Sequence, residues 1–130
     1  MMYTIDRTVS GDFGDIVEET ITALEDEGFG VLCDIDVQAT LEQKLDTDFR
    51  QYRILGACNP NQAHNALQDE LLLGALLPCN VIVYETDDGE VGVSAVDPKR
   101  LIGITDNDAL DDVATDVHQS FERVLAKIGD

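Results

Sequence analysis

The chain has 130 residues, with 27 Asp and Glu against 8 Lys and Arg and a formal net charge of -19 at pH 7. Its 44% hydrophobic content suffices for one folded core and excludes a mostly disordered polypeptide. No apolar run reaches the ~18 residues of a membrane span, and no cluster of Lys and Arg forms the counterion-releasing stripe of a nucleic-acid binder.

Tyr3, Ile5 and Val9 alternate with Thr4, Asp6 and Thr8, which predicts a first strand. Ser10-Gly11-Asp12 breaks it and offers a helix cap. Phe13, Ile16, Val17, Ile21 and Leu24 follow at helical spacing, and Gly28 ends that helix. Val31, Cys33, Ile35 and Val37 then take alternate positions of a half-buried second strand. Thr40 to Leu45 is expected as a short helix with Leu41 and Leu45 inward, and Tyr52 to Ala57 as a third strand.

Asn59-Pro60 is a helix start, since Asn caps well and Pro suits a first helical position where its missing N–H has no partner to lose. Ala63, Ala66, Leu67 and Leu71 form the expected stripe, with Gly74 near its end. Pro78 precedes a fourth strand from Val81 to Glu85. Asp87-Asp88-Gly89-Glu90 is a hairpin turn, and Val91, Val93 and Ala95 alternate in a fifth strand that Asp97-Pro98 closes. Asp106 to Gly129 is the clearest helix, carrying Leu110, Val113, Ala114, Val117, Phe121, Val124, Leu125 and Ile128 on one face. With no linker or repeat, the expectation is one α+β domain over 1–130, ordered β-α-β-β-α-β-β-α. One mixed or antiparallel sheet carries helices on one face.

The acids are spread from Asp6 to Asp130 rather than gathered in a tail, and only three lysines occur, Lys44, Lys99 and Lys127. This reads as a halophilic surface. At ~1 M salt the Debye length is about 3 Å and self-repulsion is nearly abolished, whereas at low salt the surplus charge pushes the compact state apart. The N-terminus Met1-Met2-Tyr3-Thr4-Ile5-Asp6 has no basic region followed by an apolar one, so a cytoplasmic location is expected.

Chemistry is expected at cysteine. Cys33 shares its strand period with Val31 and Ile35 and is expected in the core. Cys58 ends a strand directly before the Asn59-Pro60 helix start, where the dipole favours thiolate, and Cys79 begins the next strand after Pro78. If those strands are neighbours the two thiols converge, and His64, about one turn into the helix, is expected to face the same end. Three readings are open: two buried, unreactive thiols with Asn59 and Asn80 satisfying backbone; a thiol site for redox exchange or a soft metal such as Zn or Cu(I), with Cys58, Cys79 and His64 as ligands; or a disulfide, which a reducing cytoplasm disfavours. Zinc ordinarily takes four ligands with close Cys spacing, and no such pair occurs. A thiolate enzyme would need His64 as base beside Cys58. Asp34 and Asp36 are expected on a solvated face, and His118 at a helix boundary. Gly28-Phe29-Gly30 lacks phosphate-loop spacing.

The runs Tyr52-Arg53-Ile54-Leu55-Gly56-Ala57-Cys58-Asn59-Pro60 and Leu76-Leu77-Pro78-Cys79-Asn80-Val81, with Ala63, Ala66 and Leu67 between them, resemble the signature of the family catalogued as domain of unknown function 302. Gly28-Phe29-Gly30-Val31 with Ile35-Asp36-Val37 resembles its second strand, and Asp97-Pro98 its fifth-strand exit. The resemblance spans nearly the whole chain. It implies a small α+β domain, often a homodimer, with no settled activity, and it places Cys58, Asn59, Pro60, Pro78, Cys79 and Asn80 in the family pattern but not Cys33. The expected function is a small-ligand, soft-metal or thiol-redox site at Cys58, Asn59, Cys79, Asn80 and His64. The alternative is a structural or protein-interaction dimer module with inert cysteines. An enzyme is the less favoured reading, no cofactor is required by the sequence, and neither nucleic acid nor membrane is expected as a partner.

Overall fold

In the computed structural model residues 2–129 are described; Met1 and Asp130, at the two ends of the expected domain, lie outside them. The elements run β1 (Thr4–Val9), α1 (Phe13–Asp26), β2 (Gly30–Asp36), α2 (Val37–Leu45), β3 (Tyr52–Cys58), α3 (Pro60–Asp69), β4 (Cys79–Glu85), β5 (Val91–Val96), α4 (Pro98–Gly103) and α5 (Asp111–Ala126). Short 3-10 segments lie at Leu71–Leu76 and Asp108–Leu110. The strands form one antiparallel sheet in the order β1-β5-β4-β3-β2. The expected α+β order holds, with α4 added where the sequence reading saw only a strand exit. No helix among the described residues is long and apolar enough to cross a membrane.

Helix boundaries follow local chemistry. The Asp12 carboxylate accepts the Asp15 N–H at 3.0 Å to start α1, and Gly28, at φ +88, supplies the left-handed residue that stops it. Asn107 Oδ1 accepts the Ala109 N–H at 3.0 Å, which opens the expected last helix with a 3-10 turn and delays α5 to Asp111.

Antiparallel register puts Leu55 and Ala57 of β3, Val81 and Val83 of β4, and Val91, Val93 and Ala95 of β5 on the face toward the helices. Against them α1 lays Ile16, Val17 and Leu24, and α5 lays Val117, Phe121 and Val124. The Phe29 and Phe121 rings meet with centroids 5.0 Å apart. Glu27 fastens the end of α1 to α5, accepting from Arg123 Nε and Lys127 Nζ, each at 2.8 Å.

Four local expectations are corrected. Cys33 is exposed, not core. A bulge between Val31 and Cys33 inserts Leu32, so Val31 pairs with Ala57 while Cys33 pairs with Gly56 and turns to the opposite face. Val37 opens α2 instead of ending β2, because the Asp36 carboxylate caps Ala39 N–H at 2.9 Å. Leu45 is 67% exposed instead of inward, since α2 buries no residue fully. Leu71 leaves the α3 stripe at 81% exposure because α3 stops at Asp69 and the chain tightens to a 3-10 turn, which buries Leu73 instead.

Candidate functional site

β3 ends at Cys58 and β4 begins at Cys79, and the neighbouring register Ala57↔Cys79 brings both cysteines to the same end of the sheet. Antiparallel pairing turns two sulfurs far apart in sequence into neighbours. Both line one cavity of about 40 Å³ under the start of α3. Its walls are apolar: Phe29 and Ala57 from the sheet side, Ala63 and Ala66 from α3, Leu73 from the 3-10 segment and Leu77 just after it, and Ile102, Val113 and Val117 from α4 and α5. That volume exceeds the ~15 Å³ one water needs and falls far below the ~300 Å³ of the smallest drug-sized pockets. The space suits a species of a few non-hydrogen atoms.

The two thiols differ. Cys79 is buried at 7% exposure, whereas Cys58 is half-buried. Burial, reinforced by the neighbouring Cys58, pushes the Cys79 thiol up to about 11. Cys79 is therefore a neutral thiol at physiological pH and not a nucleophile, and it becomes a metal ligand only by giving up its proton.

Asn59 is committed to structure: its Oδ1 accepts the Gln62 N–H at 3.2 Å as the N-cap of α3. Its amide nitrogen closes on Gly28, where a Cβ would stand 3.2 Å away. Asn80 is exposed, paired in register with Gly56, and belongs to the opposite face of the sheet from the cavity. His64 is exposed on α3, 3.2 Å from Gln68 Nε2, and does not line the cavity. The expected set thus divides: Cys58, Cys79 and Asn59 come together, and Asn80 and His64 do not join them. Among the described residues no group of three or more His, Cys, Asp or Glu side chains is placed to hold a metal ion, so two sulfurs are what the site offers a soft cation.

The site also holds a residue that the sequence reading missed. Gln62 Oε1 is, among the described residues, the one buried side-chain nitrogen or oxygen without a hydrogen-bond partner, and Gln62 lines the cavity. The spacing Asn59-x-x-Gln62 is that of a capping box, in which the third helical residue returns a bond to the cap. Here only the first half of the box forms, and the free carbonyl oxygen is left as an acceptor.

The other expected residues are structural. Asp34 makes a two-point ion pair with Arg53, which raises the Arg53 pKa through that hydrogen bond. Asp36 caps α2. His118 is part-buried and sits 3.0 Å from Asp97, the cap of α4.

The curated proteins searched contain no significant match. A crystal structure of an uncharacterized conserved protein from Bacillus stearothermophilus superposes with a TM-score of 0.91 at 31% identity, covering 98% of this chain and 99% of that one. The family described as Domain of unknown function DUF302 matches residues 5–128. That match spans both cysteines and every strand pair that frames their cavity, and the chain belongs to this DUF302 family.

Proposed function

We propose that the chain is a non-catalytic binding module whose site is the cavity shared by Cys58 and Cys79. The occupant is a species of a few non-hydrogen atoms that lies against sulfur and apolar walls and donates one hydrogen bond to Gln62 Oε1. One observation carries this reading: two cysteines from separate strands line the same small cavity together with a buried, unpartnered acceptor. An orphaned buried carbonyl costs stability, about 1–3 kcal/mol, and a bound donor removes that cost. The cavity lining contains no His, Asp, Glu, Lys or Arg among the described residues, which supports binding over nucleophilic catalysis. A soft cation such as Cu(I) between the two sulfurs, each of which gives up its proton on binding, is the related chemistry this lining favours.

The setting we propose is the cytoplasm of a high-salt cell. The ratio of 27 acids to 8 cations supports it, as does the use of Arg53, Arg123 and Lys127 in ion pairs with acids.

The test is native mass spectrometry of untagged protein held in volatile salt, alongside Cu(I) titration against a colorimetric chelator. The expected result is a retained small mass, or stoichiometric Cu(I), that both Cys58→Ala and Cys79→Ala abolish. Iodoacetamide should modify Cys58 in the folded protein and Cys79 only after unfolding. Protein that carries nothing, binds no Cu(I) and hides both thiols until it unfolds would leave the cysteines as packing groups and sink the proposal.

A further inference from the structure

The helices cover one face of the sheet and leave the other facing solvent. A groove of about 540 Å³ runs over that open face, and all three tyrosines of the chain, Tyr3, Tyr52 and Tyr84, line it together with Phe49. Phe49 packs on Tyr52 with ring centroids 6.0 Å apart, and Tyr52 on Tyr84 at 5.9 Å. Tyr84 is seated on Gly92 of β5, where any Cβ would collide with its ring. Such a Cβ would meet Cζ first, then the Cε1 and Oη bonded to it at equal distance, so a face of the ring and not its edge lies on the glycine. The other face is turned away from the backbone, toward the groove. An aromatic face carries the negative part of the ring quadrupole and attracts a cation within about 6 Å of the centroid. The ring spacings put one cation within reach of two rings at once.

The charges in the groove point the same way. Arg50 is the one cation that lines it, and its guanidinium is already engaged, donating to Asp87 at 2.8 Å and to the Glu85 carbonyl at 3.0 Å. Asp6 is the one carboxylate, and it forms no ion pair among the described residues. We propose that this groove binds a small organic cation of the quaternary ammonium class. Its methyl groups rest on the Tyr52 and Tyr84 rings while Asp6 answers the charge. A net charge of -19 repels phosphate-bearing cofactors and draws cations. Hydration then selects among cations. Potassium and other inorganic ions hold their water too tightly to trade it for ring faces, whereas a trimethylammonium head presents only methyl groups and gives up little. The volume of the groove falls within the ~300–1,000 Å³ of small-molecule sites, which favours a free small cation over a protein partner. The groove lies on the opposite face of the sheet from the Cys58–Cys79 cavity, so either site stands or falls without the other.

Choline is the probe, and its uncharged isostere, in which a tert-butyl group replaces trimethylammonium, is the control. NMR of the full chain with isotope-labelled tyrosine rings, in multimolar KCl, reads the groove directly because no tyrosine lies elsewhere. Choline should shift the tyrosine signals saturably and bind at least about fivefold more tightly than the uncharged alcohol. Tyr52→Leu and Tyr84→Leu should each weaken choline about fivefold, whereas Tyr52→Phe and Tyr84→Phe, which keep the ring face, should hold its affinity within about twofold. Asp6→Asn should weaken choline about threefold and leave the alcohol unchanged. Asp6 is exposed, so this variant keeps the test decisive if the Leu variants fold poorly. No saturable shift, equal affinity for the two compounds, or choline binding that Asp6→Asn and both Leu variants leave intact overturns the proposal. A trimethyllysine peptide that binds more tightly than choline overturns the assignment to a small molecule.

Discussion

Cys79 makes stability fall at alkaline pH in a way that one substitution isolates. Its thiol, ordinarily near 9.0, stands at about 11 in the folded chain because burial denies the thiolate water and Cys58 lies beside it. In the unfolded chain the same group ionises near its ordinary value. Between these two values the unfolded state has shed a proton that the folded state still holds, so rising pH favours unfolding. The contribution is fully present below about pH 9 and gone above about pH 11; at ~1.4 kcal/mol per pH unit it amounts to about 3 kcal/mol. Urea unfolding at fixed multimolar KCl, from about pH 8 to about pH 11, reads it directly. Tyrosine and lysine titrate in the same range, so the informative quantity is the difference between wild type and Cys79→Ala. That variant should lose about 1–2 kcal/mol near neutrality from the small void and then show the shallower decline. Cys58→Ala should keep most of the steepness. Parallel curves for wild type and Cys79→Ala would refute the claim that Cys79 is a desolvated thiol.

Gln62→Met removes the unpartnered acceptor and fills its space with an apolar chain, so thermal unfolding should rise by the equivalent of about 1 kcal/mol while ligand retention is lost; a loss of similar size would mean that the carbonyl is satisfied in the folded protein. Glu27→Gln should cost up to about 1 kcal/mol, because its two cations are partly exposed. Hydrogen bonds from Lys127 and then Arg123 hold the Glu27 carboxyl below its ordinary 4.5, so this contribution is present above about pH 4.5 and disappears as pH falls through the lowered value; equal acid sensitivity in wild type and variant would contradict it. Dilution from multimolar to millimolar KCl should abolish near-native circular dichroism, since the Debye length grows from about 3 Å at 1 M to about 30 Å at 0.01 M; spectra that do not change would show an ordinary acidic protein.

The sequence by itself determined the α+β order, the five strands and the two amphipathic helices that cover them, because each depends on a period of two or of 3.6 and on caps such as Asp12 and Asn59. It also determined that Cys58 and Cys79 stand at strand ends, since a Pro adjoins each motif. Where local signals competed, the sequence could not decide. Strict alternation put Cys33 in the core, and a single extra residue at Leu32 turned it outward, because in a strand one added residue exchanges the two faces. Helical spacing put His64 near the thiols, yet the pitch of α3 directs it to solvent. Only the tertiary structure decided that β3 and β4 are neighbours, that the two sulfurs share a cavity, and that Gln62 leaves its carbonyl unpaired there. Pairing between strands and the closing of α3, α4 and α5 over them are contacts between distant segments, and no window of neighbouring residues contains them.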